Sequence, residues 1–278
     1  MDKQERQAMK IDHHVHSDSD DPGIIKAFIE VLEKNETMAC VSGGGWRGDH
    51  SYPGNDNSLA IAKAYPDLVI PFAWINLWNE SDRAAGASEQ VDRFVERGFR
   101  GFKFIAPWYE YDHDLYMPIY ERIAEYRLPV LFHTGHYRPS PSQATADFRR
   151  PLIRNMRPLT LDRIARSFPD LPVIMAHMGT SLYWEEGAQL CLGTPNIYAD
   201  LAGCGNWGRM TPERLQELLV SPYCYGVSNA LNKLLLGSDA YVTRPKIVED
   251  AQKYYARLLP EKYRADAFGG TMAKMLKM

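Results

Sequence analysis

One pattern repeats along the chain and limits the folds that it can adopt. A short apolar run rich in β-branched residues is followed by polar loop residues and then by an amphipathic helical stretch. Eight such runs occur: Met9 to His16, Met38 to Gly44, Val69 to Asn76, Phe99 to Ile105, Pro129 to Gly135, Pro172 to Gly179, Asn196 to Gly203 and Lys233 to Ala240. Successive runs begin 24 to 43 residues apart, which leaves room for one strand and one helix each.

Helical segments are predicted between most of these runs. They are Ile24 to Lys34, Ser58 to Tyr65, Ser88 to Arg97, Leu115 to Tyr126, Leu161 to Phe168, Pro212 to Leu219 and Lys246 to Leu258. Ser88 is a suitable N-cap for the third segment and Gly98 a suitable stop. Strands that alternate with helices imply parallel strands with crossover connections. Eight such units close into a (β/α)₈ TIM barrel, which commonly takes about 250 residues.

A doubly wound sheet is the competing arrangement for an α/β chain of this kind. Its nucleotide-binding members carry a glycine-rich turn after the first strand, whereas the first run here ends in His-Val-His. No change of composition and no Gly/Ser-rich linker marks a domain boundary. We therefore expect one TIM-barrel domain over residues 1–278.

Charge and composition exclude several classes of partner. The net charge of −3 leaves no basic surplus to neutralise phosphates, so no nucleic-acid partner is expected. No apolar stretch approaches the roughly 18 residues of a membrane span, and the polar N-terminus lacks the apolar region of a signal peptide. The four cysteines show no CxxC spacing, which favours reduced thiols. These features predict a soluble, cytoplasmic protein with no membrane partner.

Polar residues collect where the predicted strands end, which is where enzymes with this barrel place their chemistry. Lys103 lies near the end of the fourth run and Asp239 near the end of the eighth. Of the eight histidines, six lie at strand ends or directly after them: His13, His14, His16, His133, His136 and His177. This accumulation predicts an active site at the carboxyl end of the barrel.

The His-Val-His sequence at the end of the first run predicts a pair of metal ligands. Strand side chains alternate, so His14 and His16 face the same side and can share one cation. By the same alternation His13 faces away from His14, which favours a packing role. Imidazole and carboxylate groups suit Zn²⁺ and comparable divalent metals.

Five motifs together resemble the amidohydrolase superfamily. They are Ile11 to His16, Gly101 to Phe104, Leu131 to Gly135, Met175 to Gly179 and Leu236 to Asp239, and the tail from Phe268 to Leu276 is similar to the closing helix of that family. The similarity is greatest to the branch that holds aminocarboxymuconate semialdehyde decarboxylase and pyrone-dicarboxylate lactonase. It implies a metal-dependent enzyme with one divalent metal, for which Zn²⁺ is expected and Mn²⁺ is the alternative.

The resemblance also implies a role for each residue. His14, His16 and His133 would be metal ligands, and Asp239 would be both ligand and general base. His177 would be either a further ligand or, as we favour, a group that polarises water or substrate. Lys103 would be either carboxylated and bridging two metals or, as we favour, an unmodified charge near the substrate.

The loops after the strands carry aromatic residues and arginines that predict the kind of substrate. Arginine binds a carboxylate through two hydrogen bonds, and aromatic rings suit a planar body. The candidate substrate contacts are Arg47, Lys103, Trp108, His136, Tyr137 and Arg138. These residues predict a small-molecule carboxylated substrate. Aromatic loops of this kind are also compatible with a homodimer.

The sequence thus predicts a hydrolase of a small carboxylated ester, lactone or amide that uses metal-activated water. A metal-dependent decarboxylase of a small unsaturated or aromatic carboxylic acid is the first alternative, and the same ligands would serve it. A catalytically inactive barrel used for binding is the second, but it predicts a missing ligand and none is missing. A lactonase that works without metal is a related possibility.

Overall fold

The computed structural model describes residues 10–43, 54–75, 77, 87–136, 152–203, 206–207, 209–221 and 228–278. Eight parallel strands form its centre: β1 Lys10–Ser17, β2 Thr37–Gly43, β3 Val69–Trp74, β4 Gly101–Phe104, β5 Val130–His133, β6 Val173–Ala176, β7 Ile197–Ala199 and β8 Ala240–Tyr241. They pair in the order β7-β6-β5-β4-β3-β2-β1-β8. The (β/α)₈ barrel predicted from the repeating pattern is confirmed.

The segment around β8 closes the barrel between β7 and β1. Leu234 forms a parallel bridge with Ala199 at the end of β7. Further along, the His13 amide donates to the Leu236 carbonyl, and Ala240 pairs with Val15 of β1. The eighth strand predicted at Lys233 to Ala240 is therefore extended chain for most of its length, with regular pairing only at its end. The positive φ of 58° at Asp239 interrupts the regular strand geometry.

Ten α-helices lie after the strands or close the fold in the described part of the chain. They are α1 Pro22–Lys34, α2 Asn55–Ala64, α3 Ala87–Arg97, α4 Met117–Tyr126, α5 Asp162–Ser167, α6 Thr180–Gly193, α7 Pro212–Leu219, α8 Lys246–Leu258, α9 Glu261–Ala265 and α10 Thr271–Met275. Asp21 caps α1 by accepting hydrogen bonds from the amides of Gly23 and Ile24. Among the described helices, none has both the length and the apolar character needed to cross a bilayer.

The sequence pattern does not indicate α6, which joins β6 to β7. A glycine in the middle of a helix is unfavourable, and Gly187 lies there. Its lack of a side chain lets the helix approach the Met178 carbonyl, because a Cβ at this position would lie 2.9 Å from that oxygen. Tertiary packing therefore overrides a weak local preference for helix.

The core consists of apolar layers on both sides of the strands. The inner layer includes Ile11, Cys40, Phe72 and Leu131, and Met272 of α10 packs against the same cluster. Strands covered on both faces explain the almost continuous apolar runs in the sequence. The buried free thiols of Cys40 and Cys191 fit the expectation of reduced cysteines, while Cys204 and Cys224 lie outside the described residues.

Candidate active site

An irregularity in β1 sets the direction of its histidine side chains. Asp12 pairs with Ala39 and Val15 with Val41, so three residue steps on β1 oppose two on β2. Such a β-bulge re-aims side chains and is frequent beside active sites. His14 Nδ1 and His13 Nε2 lie 2.9 and 3.1 Å from the same oxygen, Oδ2 of Asp200. The prediction that His13 faces away from His14 is therefore wrong, because it assumed regular alternation.

Three donor atoms from the ends of β1 and of the segment before β8 converge at the carboxyl end of the barrel. His16 Nε2 lies 3.2 Å from His14 Nε2 and 3.1 Å from Asp239 Oδ1, and His14 Nε2 lies 3.3 Å from the same oxygen. Ligands about 2.0–2.2 Å from a shared Zn²⁺ lie roughly 3–3.5 Å from one another. The spacing and chemistry of this donor set fit one divalent cation.

The two imidazoles of this group are held in the neutral form that binds metals. Burial, together with the positive charge of Lys103, lowers the pKa of His14 to about 3. Burial also lowers the pKa of His16. Lys103 is buried and its Nζ lies 2.9 Å from His14 Nε2. Neutral imidazole has the free electron pair that coordination requires.

Asp239 supplies the carboxylate of the group from a strained backbone position. Burial alone would raise the pKa of its carboxyl group, but the neighbouring imidazoles outweigh this effect and hold the pKa below its ordinary value. Its φ of 58° is left-handed, which is unusual for any residue other than glycine. Strain of this kind collects at functional sites, where the surrounding structure must maintain it.

His177 and His133 form a second pair beside this group. The Nε2 atom of His177 lies 3.1 Å from Nδ1 of His133, and its Nδ1 donates to the Ala202 carbonyl. The backbone of His177 is also left-handed, with a φ of 67°. Burial, followed by the neighbouring His177, lowers the pKa of His133 well below its ordinary value.

Two sets of side chains in the described residues could each hold a metal ion, and both include His14. One is His14 with His16 and Asp239, and the other is His14 with His177 and Asp200. Neither set of described residues includes His133. Its assignment as a metal ligand stays a prediction, as does the polarising role of His177.

Asp200, at the end of β7, is a site residue that the sequence reasoning missed. It is fully buried, and its Oδ1 accepts hydrogen bonds from the amides of His177 and Ala202 at 2.6 and 2.9 Å. A signal was available, because Asp200 lies near the end of the seventh run just as Asp239 lies near the end of the eighth. Asp12 is likewise buried and joins β1 to the β8 segment by accepting from the amides of His14 and Ser238.

The candidate substrate contacts are only partly described. Arg47, Tyr137 and Arg138 lie outside the described residues. Trp108 is half-buried, and its carbonyl accepts a hydrogen bond from the side chain of Asn155 at 3.0 Å. His136 is exposed, and its amide donates to the Thr180 hydroxyl. Substrate contact by these residues stays a prediction.

Comparison with known proteins agrees with the fold and with the resemblance found in the sequence. The model of a family described as amidohydrolase matches residues 11–278. No curated protein matches the chain. The match nevertheless spans every element that contributes to the site.

Solved structures share the barrel at low sequence identity. An uncharacterized TIM-barrel protein from Bordetella bronchiseptica has a TM-score of 0.68 and 18% identity, covering 96% of this chain and 98% of that one. A dihydroxybenzoic acid decarboxylase from a Polaromonas species, with bound manganese and 2-nitroresorcinol, has a TM-score of 0.62 and 14% identity, covering 96% of each chain. A probable 2-pyrone-4,6-dicarboxylic acid hydrolase from Acinetobacter baumannii has a TM-score of 0.60 and 14% identity, covering 97% of this chain and 100% of that one.

Proposed function

The chain belongs to the amidohydrolase family, and we propose that it is a metal-dependent hydrolase of a small carboxylated ester, lactone or amide. The observation that carries the proposal is the approach of His14 Nε2, His16 Nε2 and Asp239 Oδ1 to within 3.1–3.3 Å of one another. Three metal-binding atoms from sequence positions 14, 16 and 239 meet at the carboxyl end of the barrel, which is where TIM-barrel enzymes carry out their chemistry.

These three residues would hold one divalent cation, for which Zn²⁺ is our first choice. A manganese-containing decarboxylase with the same barrel supports Mn²⁺ as the alternative. When bound, such a cation polarises a carbonyl group and lowers the pKa of water towards neutrality. His133 remains our candidate for a further ligand; its ring centroid lies 4.7 Å from that of His177, which in turn lies 5.2 Å from that of His14.

Asp239 and the side chains next to the three donor atoms would supply the remaining chemistry of the reaction. Asp239 is ionised, so it can accept a proton from attacking water and return it to the leaving group. Lys103, 2.9 Å from His14 Nε2, brings buried positive charge that can stabilise a developing oxyanion. His177, whose ring centroid lies 5.2 Å from that of His14, remains our candidate for polarising water or substrate. Arg47 and Arg138 are our candidates for binding the substrate carboxylate.

Decarboxylation of a small aromatic carboxylic acid is the second candidate. It is favoured by decarboxylases among the structures with the same barrel, including a 2,6-dihydroxybenzoate decarboxylase from Rhizobium with a TM-score of 0.62. The same cation site would serve both reactions. The two differ in their products, because only decarboxylation releases CO₂.

One experiment separates the two candidates. Protein loaded with Zn²⁺ or Mn²⁺ is incubated with carboxylated lactones, esters and amides and with hydroxylated benzoic acids, and the products and CO₂ are measured. Ring opening or acid release without CO₂ supports hydrolysis, whereas CO₂ from the benzoic acids supports the second candidate. The His14→Ala variant is the control. Turnover by this variant that equals turnover by the wild type would contradict both candidates.

A further inference from the structure

Asp200 contacts both His14 and the backbone of His177, although it is not one of the three converging donors. Its Oδ2 lies 2.9 Å from Nδ1 of His14, on the side of that ring opposite the converging Nε2. Its Oδ1 accepts from the amides of His177 and Ala202. One buried carboxylate thus joins the ends of β1, β6 and β7.

The two nitrogens of His14 face chemically different neighbours. Lys103 Nζ lies 2.9 Å from Nε2, and a lysine ammonium group can only donate a hydrogen bond. Nε2 must then be the acceptor, so in neutral imidazole the hydrogen is on Nδ1. That hydrogen points to Asp200 Oδ2, which can only accept when the carboxylate is ionised. Both contacts therefore favour the tautomer with its electron pair on Nε2, and the carboxylate oxygen of Asp239, which would favour hydrogen on Nε2, lies farther away at 3.3 Å.

From these contacts we infer that Asp200 is a positioning residue that fixes the Nδ1–H tautomer of His14 and so keeps Nε2 available for the cation. The inference deepens the proposed function and rests on it, since it concerns the same cation site. Metal-binding histidines commonly donate their other N–H to a carboxylate, which fixes the ring and its tautomer. In the second possible metal set, the proximity of His14 and Asp200 is then explained by a direct hydrogen bond.

The surroundings of Asp200 make the variant Asp200→Asn a specific test. The side-chain oxygen of the asparagine must stay where Oδ1 was, because the amides of His177 and Ala202 both donate there at 2.6 and 2.9 Å. If the asparagine side chain were flipped, its NH₂ group would face the two backbone N–H donors, and no acceptor would be left for them. The amide nitrogen therefore takes the place of Oδ2 and donates to Nδ1 of His14. His14 must then carry its hydrogen on Nε2, where it blocks coordination.

The experiment measures Co²⁺ binding and the His14 tautomer in the full-length protein. Asp200→Asn is expected to weaken Co²⁺ binding by about 10–100-fold and to alter the visible spectrum of the bound cobalt. Asp170→Asn makes the same chemical change on an exposed aspartate and is the matched control. Nitrogen-15 NMR of metal-free wild-type protein, assigned by the signal lost in His14→Gln, should show hydrogen on Nδ1 of His14.

The outcomes separate this inference from the proposed function. If wild-type protein binds Co²⁺ but Asp200→Asn binds it equally well, the inference is wrong and the cation site stands. An Nε2–H tautomer of His14 in the wild type would also overturn the inference. If the wild type binds no Co²⁺, or if His14 contributes nothing to the Co²⁺ binding that is seen, the proposed function fails. Should Asp200→Asn not fold, the tautomer measurement on wild-type protein decides the matter.

Discussion

Adding a single methyl group at Gly237 should disturb the candidate site without changing any of its reactive groups. A Cβ on Gly237 would lie 2.8 Å from Asp200 Oδ2, 2.9 Å from Asp200 Cβ and 2.9 Å from His13 Cε1. All three distances are below normal carbon contacts. Asp200 cannot simply rotate away, because two backbone amides hold its Oδ1. The β8 segment or the carboxylate must move.

The expected cost of Gly237→Ala follows from overpacking in a buried region. Extra methyl groups in well-packed protein interiors cost about 1–3 kcal/mol of unfolding free energy. Each kcal/mol corresponds to a melting temperature shift of about 2–4 °C in domains of roughly 150–250 residues. Because Asp200 moves relative to His14, metal affinity should fall as well. Denaturant unfolding and Co²⁺ titration measure the two effects.

Gly193→Ala is the matched control, since a Cβ there would meet no atom within 4 Å. It lies at the end of α6, where replacing glycine by alanine removes chain entropy from the unfolded state. This variant should keep wild-type metal affinity and equal or exceed wild-type stability. If Gly237→Ala matched the wild type in both measurements, the close packing of β8 against Asp200 would be refuted.

Three further outcomes are expected. Lys233→Met should lower the unfolding free energy by about 1–3 kcal/mol. The Lys233 ammonium group is buried and donates to the carbonyls of Cys191 and Thr194 at the end of α6, at 2.8 and 2.6 Å, and the variant leaves both without this donor. Lys253→Met, at an exposed position, should change little in the same denaturation assay. Asp21→Ala removes the N-cap of α1 and should cost about 0.5–2 kcal/mol, whereas Asp20→Ala in the same exposed turn should leave the melting temperature unchanged. Exhaustive chelation should abolish turnover and added Zn²⁺ or Mn²⁺ should restore it; turnover that survives chelation would indicate chemistry without metal.

The barrel was predictable because its determinants are local and repeated. Buried parallel strands give continuous apolar runs, and α7 and α8 begin and end at the residues that the pattern predicts. The strand ends also located most of the polar cluster, because side-chain type and position in the strand suffice to find His14, His16 and Asp239. These three residues converge in space because the barrel closes, and the eight repeated units already imply that closure.

The features that could not be predicted from the sequence depend on contacts between distant segments of the chain. The orientation of His13 follows from the bulge in β1, which is visible only in the pairing of β1 with β2. The helix α6 contains Gly187, whose position is explained by the Met178 backbone against it. The importance of Asp200 lies in four contacts made to other strands and loops, and none of them leaves a local pattern. Backbone strain at Asp239 and His177 is likewise a property of the assembled barrel.

Anomalous diffraction from crystals of Zn²⁺-loaded protein would locate the cation among its proposed ligands. One strong peak is expected at the carboxyl end of the barrel, about 2.0–2.2 Å from His14 Nε2, His16 Nε2 and Asp239 Oδ1. The same map would show whether His133 joins them and whether Lys103 is carboxylated. A peak elsewhere, or no peak within reach of these three atoms, would refute the shared cation site.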